Sequence, residues 1–207
     1  MDALWKGYKM DKLRFGCPEG EEKEKRGEEG MSSRLLKLRT ILLAGEIDKE
    51  SAQRVMSQLL LLSHEDPSKP IRLFIDSPGG DADAGYAMFD MIRFVETPVY
   101  TICTGLAASA AVIVLLASPR ERRLSLPNAR LLIHQPSTGI HGSASDIQIE
   151  ASEILKIREK INKLIAEETE QTLEKVTKDM HRNFWMSAKE AQEYGLVGRV
   201  IVSTKEL

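Results

Sequence analysis

The chain has 207 residues, 42% of them hydrophobic and 29% charged, enough for one mid-sized globular domain with a core of its own. Its 29 basic and 31 acidic residues leave a formal charge of -2, so no overall positive field exists to hold nucleic acid or an anionic membrane. Two cysteines, Cys17 and Cys103, are too few for a disulfide scaffold and lack the C-x-x-C spacing of zinc or redox sites, which fits a reducing cytoplasm.

No secretory signal is visible at the start of the chain. Residues 1–33 are expected to form a charged, mobile segment. Glu19–Gly30 holds six Glu, two Lys, one Arg and three Gly, a composition that buries too little to order itself, and Met31 is an alternative start. The folded domain is expected over 34–207. Thr40–Ala44 reads as a first strand, and Asp48 as the cap of a helix through about Ser63 with Ala52, Val55, Met56, Leu59 and Leu60 on one face. Leu61 and Leu62 widen that face and predict burial on two sides. Ile71–Ile75 is a buried strand that runs into Asp76-Ser77-Pro78-Gly79-Gly80, a turn suited to close approach.

A helix over Ala82–Val95 and a strand over Val99–Thr104 come next. The uncharged stretch from Thr97 to Pro119 has the length of a membrane span, but its small and polar residues favour a strand, a bend at Gly105 and a buried helix from about Leu106. Two short strands follow, Arg123–Leu126 and Arg130–Ile133, with His134 at the end of the second. Gln135–Ser145 is a Gly- and Ser-rich loop, and Asp146 opens the longest helical pattern in the chain. Ser187 and Glu190 have capping-box spacing, Gly195 suits a helix end, and Arg199–Val202 reads as a last strand. Strands alternating with helices predict an α/β fold with a parallel sheet and crossover helices.

The chain contains no phosphate-binding glycine loop, dinucleotide fingerprint, zinc-protease motif or G-x-S-x-G elbow. It does place Ser109 between two alanine pairs in an apolar run. A serine on a buried helix commonly bonds a carbonyl one turn back. At a helix N-terminus, however, it stands beside free N–H groups and the positive dipole end, a setting for acyl transfer. Gly80 and the N–H of Ala110 are candidate oxyanion donors. Of the four histidines, His134 is the best candidate base, because sites in parallel sheets collect at strand ends. A histidine bonded within the core is the competing reading.

Several ordered blocks make the sequence resemble the ClpP family of ATP-dependent serine peptidases from Ser33 to about Ile201. They are Asp76-Ser77-Pro78-Gly79-Gly80, Gly105-Leu106-Ala107-Ala108-Ser109, Leu126-Pro127-Asn128-Ala129-Arg130, Ile133-His134-Gln135-Pro136, Ala151–Leu155 and Met186-Ser187-Ala188-Lys189-Glu190-Ala191. The resemblance implies a ClpP/crotonase-type fold with a protruding long helix for ring-ring contact. It also implies Ser109 as nucleophile, His134 as general base, Asn183 at the third triad position, and Gly80 with Ala110 as the oxyanion hole. No metal or cofactor is implied, ATP being used by a partner unfoldase. The implied partners are self or paralogous subunits in stacked heptameric rings, an AAA+ unfoldase such as ClpX, ClpA or ClpC, and unfolded protein substrates.

Three departures accompany the resemblance. Asn183 stands where the family usually has aspartate, and Asp179 replaces it only if the backbone shifts. Ala110-Ala111 stands where Met-Gly is usual, and the Ala111 β-carbon is expected to narrow the site. Asp81 and Asp83 follow the glycine pair, either opposing an oxyanion or facing solvent as helix cap and first-turn acid. They keep open a second reading, a catalytically weak or inactive structural subunit of a mixed ring. Acyl-CoA chemistry on a crotonase-type fold is a third class, against which the Ser109 and His134 pair argues.

Overall fold

The computed structural model describes residues 30–137, 139 and 141–207. The charged segment expected over 1–33 lies outside the described residues as far as position 29. Residues 30–37 are helical, so the end of the segment expected to be mobile is ordered as helix, and from there the elements in chain order are β1 (Thr40–Ala44), α1 (Lys49–Glu65), β2 (Ile71–Ser77), α2 (Ala82–Phe94), β3 (Val99–Ala108), α3 (Ala110–Leu115), β4 (Arg123–Ser125) and β5 (Arg130–Ile133). These are followed by α4 (Ala144–Thr169), α5 (Leu173–Asp179), β6 (Phe184–Ser187), α6 (Ala188–Tyr194) and β7 (Arg199–Val200). The strands form one sheet in the order β1-β2-β3-β4-β7, with β5 branching from β3 and carrying β6. Every pairing is parallel except β5 with β6.

Alternation along the strands sends most large side chains to one face of the sheet. Leu73, Ile75, Val99 and Cys103 join α1, α2 and α3 residues in the main core, while Ile102, Leu124 and Ile201 form a small cluster of their own. The uncharged stretch is thereby divided between β3 and the fully buried α3. Among the described residues, no helix is long and apolar enough to cross a membrane.

The structure differs from the sequence reading at several points. Gly105 is not a bend, since β3 continues through it to Ala108 and α3 starts at Ala110. The register explains this: Ile75 pairs with Cys103 but Ser77 with Ala107, so β3 carries a bulge over Thr104–Leu106. Asp76 holds the bulge by accepting the Leu106 N–H at 2.9 Å, and a β-carbon on residue 105 would lie 2.6 Å from that carboxylate. The buried stripe of α1 is Ser51, Ala52, Val55, Leu59 and Leu62, leaving Leu60 and Leu61 about half exposed. A single stripe, rather than burial on two sides, is what packing on one sheet face produces.

The α1 cap is a full box, with Asp48 and Ser51 each accepting the other's backbone N–H. The long helix starts two residues before Asp146, capped by Ser143. The last strand stops at Val200.

Candidate active site

β3 and β5 run parallel with Ala108 beside Leu132, and the Ser109 N–H donates to the Leu132 carbonyl at 3.0 Å. Neighbouring strands therefore end side by side and deliver Ser109 and His134 to the same end of the sheet. Ser109 forms the whole turn from β3 into α3, with φ 56° and ψ -121°. Such a conformation costs an L-residue about 1–3 kcal/mol and persists only where its surroundings fix it. Gly79 supplies one wall. A β-carbon there would lie 2.5 Å from the Ala108 carbonyl oxygen and 2.7 Å from Ser109 Cβ. Ser109 stands before α3 and not within it, so it has no helical turn behind it whose carbonyl it could bond, and its hydroxyl makes no capping bond either.

The segment between β1 and α1 crosses the glycine pair. Ile47 N–H donates to the Gly79 carbonyl and Asp81 N–H to the Ile47 carbonyl, both at 2.8 Å. Gly80, at φ 146°, sits between these bonds, and a β-carbon on it would collide with the Ile47 carbonyl. Ala110 opens α3, where the first N–H groups have no intrahelical acceptor.

Gly80, Ser109, Ala110 and His134 line one cavity of about 470 Å³. Its far wall is apolar: Ile154, Ile157, Ile161 and Ile165 fall at helical spacing on one face of α4, and Met180 stands beside them. Asp81, Asp83, Glu150 and Glu153 also line it, whereas no lysine or arginine does among the described residues. Asp81 caps α2 through Ala84 N–H at 3.0 Å, and both aspartates are exposed, so they serve the helix and bound the cavity together. Ala111 is fully buried in the core and does not reach the cavity, because its position in α3 turns it inward. The expected narrowing at that residue does not occur.

His134 is half-buried, and burial lowers its imidazole pKa from the ordinary 6.5. It is therefore neutral at neutral pH and able to accept a proton. The β5–β6 register pairs Ile133 with Phe184, so one further step sets His134 opposite Asn183. Asn183 is exposed, and it does not line the cavity. Four of the five residues singled out in the sequence thus share one cavity, while Asn183 stands outside it. Asp179 is committed elsewhere, accepting from the Tyr194 hydroxyl at 3.0 Å and pairing with Lys175 Nζ at 2.5 Å. The four isoleucines read in the sequence as the apolar pattern of the long helix and not as a cavity wall, and Met180 was not singled out.

A serine on a strained strand-to-helix turn and a neutral histidine lining one cavity, with N–H groups beside the serine, is an arrangement used by the serine hydrolases. Residues 22–204 match the family model described as Clp protease. The ATP-dependent Clp protease proteolytic subunit 2 of Treponema denticola is 51% identical, over 90% of this chain and 94% of that protein. Its counterpart in Treponema pallidum is 50% identical, over 92% and 98%. An asparagine-to-aspartate mutant of ClpP1 from Listeria monocytogenes superposes with a TM-score of 0.79 at 43% identity, covering 85% of this chain and 98% of that one. The chain belongs to the Clp protease family and is a serine peptidase of the Clp type, a proteolytic subunit.

Proposed function

We propose that the chain hydrolyses peptide bonds of unfolded polypeptides through an acyl-enzyme on Ser109. His134 takes the hydroxyl proton and returns it to the leaving amine, and the N–H groups of Gly80 and Ala110 receive the negative charge that develops on the carbonyl oxygen. The isoleucine face of α4 holds an apolar side chain next to the cut bond. The observation that carries this reading is the strained Ser109 turn opening into the cavity that His134 also lines.

Family membership places the subunit in a ring served by a Clp ATPase. Stacked heptamers of self or paralogous subunits, docking to ClpX, ClpA or ClpC, and a cytoplasmic location extend that reading, with ATP consumed by the ATPase. A second reading, a subunit that cuts weakly alone and mainly builds a mixed ring, is favoured by the exposure of Asn183 outside the cavity.

Intact mass after treatment with a fluorophosphonate separates the two. A stoichiometric adduct on the assembled protein, absent from Ser109→Ala, is the expected outcome. Unlabelled intact rings that label only when a paralogue is added would establish the second reading.

A further inference from the structure

Gln135 follows His134 directly and crosses to the turn that carries Asn183. Its backbone N–H donates to the Met180 carbonyl at 2.8 Å, and its side-chain amide Nε2 donates to the His181 carbonyl at 3.0 Å. Two bonds from one residue thus tie the end of β5 to the two residues that follow α5. The same turn is held at its start by Asp179, which Tyr194 and Lys175 secure, and at its far end by the pairing of Phe184 with Ile133. Met180 is 2% exposed and lines the cavity, so the turn cannot move without disturbing the wall beside His134.

We infer that Gln135 is a positioning residue of the hydrolytic site, a staple that sets the separation between His134 and Asn183. The inference rests on the proposed roles of Ser109 and His134. Its physical basis is leverage. Asn183 lies one register step beyond the last β5–β6 pair, where ladder bonds no longer fix spacing, and the Gln135 bonds are those that bridge the gap. A third-member side chain steers an imidazole only over hydrogen-bond reach, and displacement by about 1 Å loses rate on the order of 10²-fold. A carboxylate at position 183 has more to contribute than an amide, so correct placement matters more for it.

The test measures the second-order rate of Ser109 labelling by a fluorophosphonate on the assembled, full-length protein. Gln135→Met removes the side-chain donor at similar size. Gln135→Glu is a second variant, which accepts where the native side chain donates, should the first not assemble. Each is made in the native, Asn183→Asp and Asn183→Ala backgrounds. The expected result is a loss on the order of 10-fold in the native background and a larger one with Asn183→Asp. With Asn183→Ala no loss is expected, since nothing remains to position. Gln135→Lys, which keeps a donor, restores most of the rate.

An equal loss in all three backgrounds overturns the staple, as does an unchanged rate in the Asn183→Asp background. Absence of labelling in both the native and Asn183→Asp proteins overturns the hydrolytic roles themselves, and the staple with them.

Discussion

No carboxylate among the described residues offsets the burial of His134 and steadies its imidazolium. Burial alone sets its affinity for a proton and lowers it below the ordinary 6.5. The active form is the neutral base, so turnover falls as pH drops through that depressed value, and the acid limb of kcat/KM lies below 6.5. Placing a carboxylate opposite the imidazole by Asn183→Asp favours the protonated ring and raises its pKa. The acid limb therefore moves to higher pH while the plateau rises, by about 10-fold at least against the roughly 10⁴-fold cost of the reverse exchange in a trypsin-type triad. A pH profile of peptide turnover checks both parts, and a limb that stays in place would show that residue 183 does not reach His134.

Elements differed in how plainly the sequence announced them. Helices with a stripe at 3–4 spacing and a capping residue, such as α1, were legible because periodicity and cap agree. Two elements were not. α5 spans seven residues with only Val176 buried, too short to show a stripe, and β6 alternates over four residues without a β-branched run. The bulge at Gly105 depends on Asp76 from another strand, so local sequence reads only as a break. Motif and strand-end logic singled out Ser109, His134, Gly80 and Ala110, and the structure lines one cavity with all four. The staple at Gln135 was not, because its acceptors are carbonyls 45 or more residues away.

At the end of α4, Arg123 shows how an element is anchored from outside. Its side chain, 3% exposed, donates to the Ser118 and Glu168 carbonyls and pairs with the Glu168 carboxylate, which Arg93 also contacts. Burial lowers the guanidinium pKa and Glu168 opposes that shift. Arg123→Met leaves those acceptors stranded and is expected to cost about 3 kcal/mol or more. A thermal midpoint lower by roughly 6–12 °C at fixed protein concentration is the expected reading. A shift under about 2 °C would mean that α4 is held elsewhere.

As a whole molecule, the single chain is unevenly consolidated. α4 has 26 residues and is roughly 39 Å long, yet from 144 to 160 only Ile154 and Ile157 are even half-buried. Ile147, Ile149 and Leu155 stand exposed on it. A helical stretch of that length has little stability without a surface to pack on. Its order is expected to come from neighbouring subunits, so amide exchange over 144–157 should slow on assembly and speed on dilution, while α1 and β2 stay protected throughout. Equal exchange in dilute and assembled protein would show that the helix holds itself.

The crossing of Ile47 over the glycine pair has a consequence for inheritance. Every missense change of a glycine codon, whichever base is altered, adds at least a β-carbon. At position 79 that carbon meets Ala108 and Ser109, and at position 80 it meets Ile47. Apart from their synonymous codons, the two adjacent positions therefore have no unstrained neighbour in sequence space. Drift that tunes the rest of the cavity must go around them.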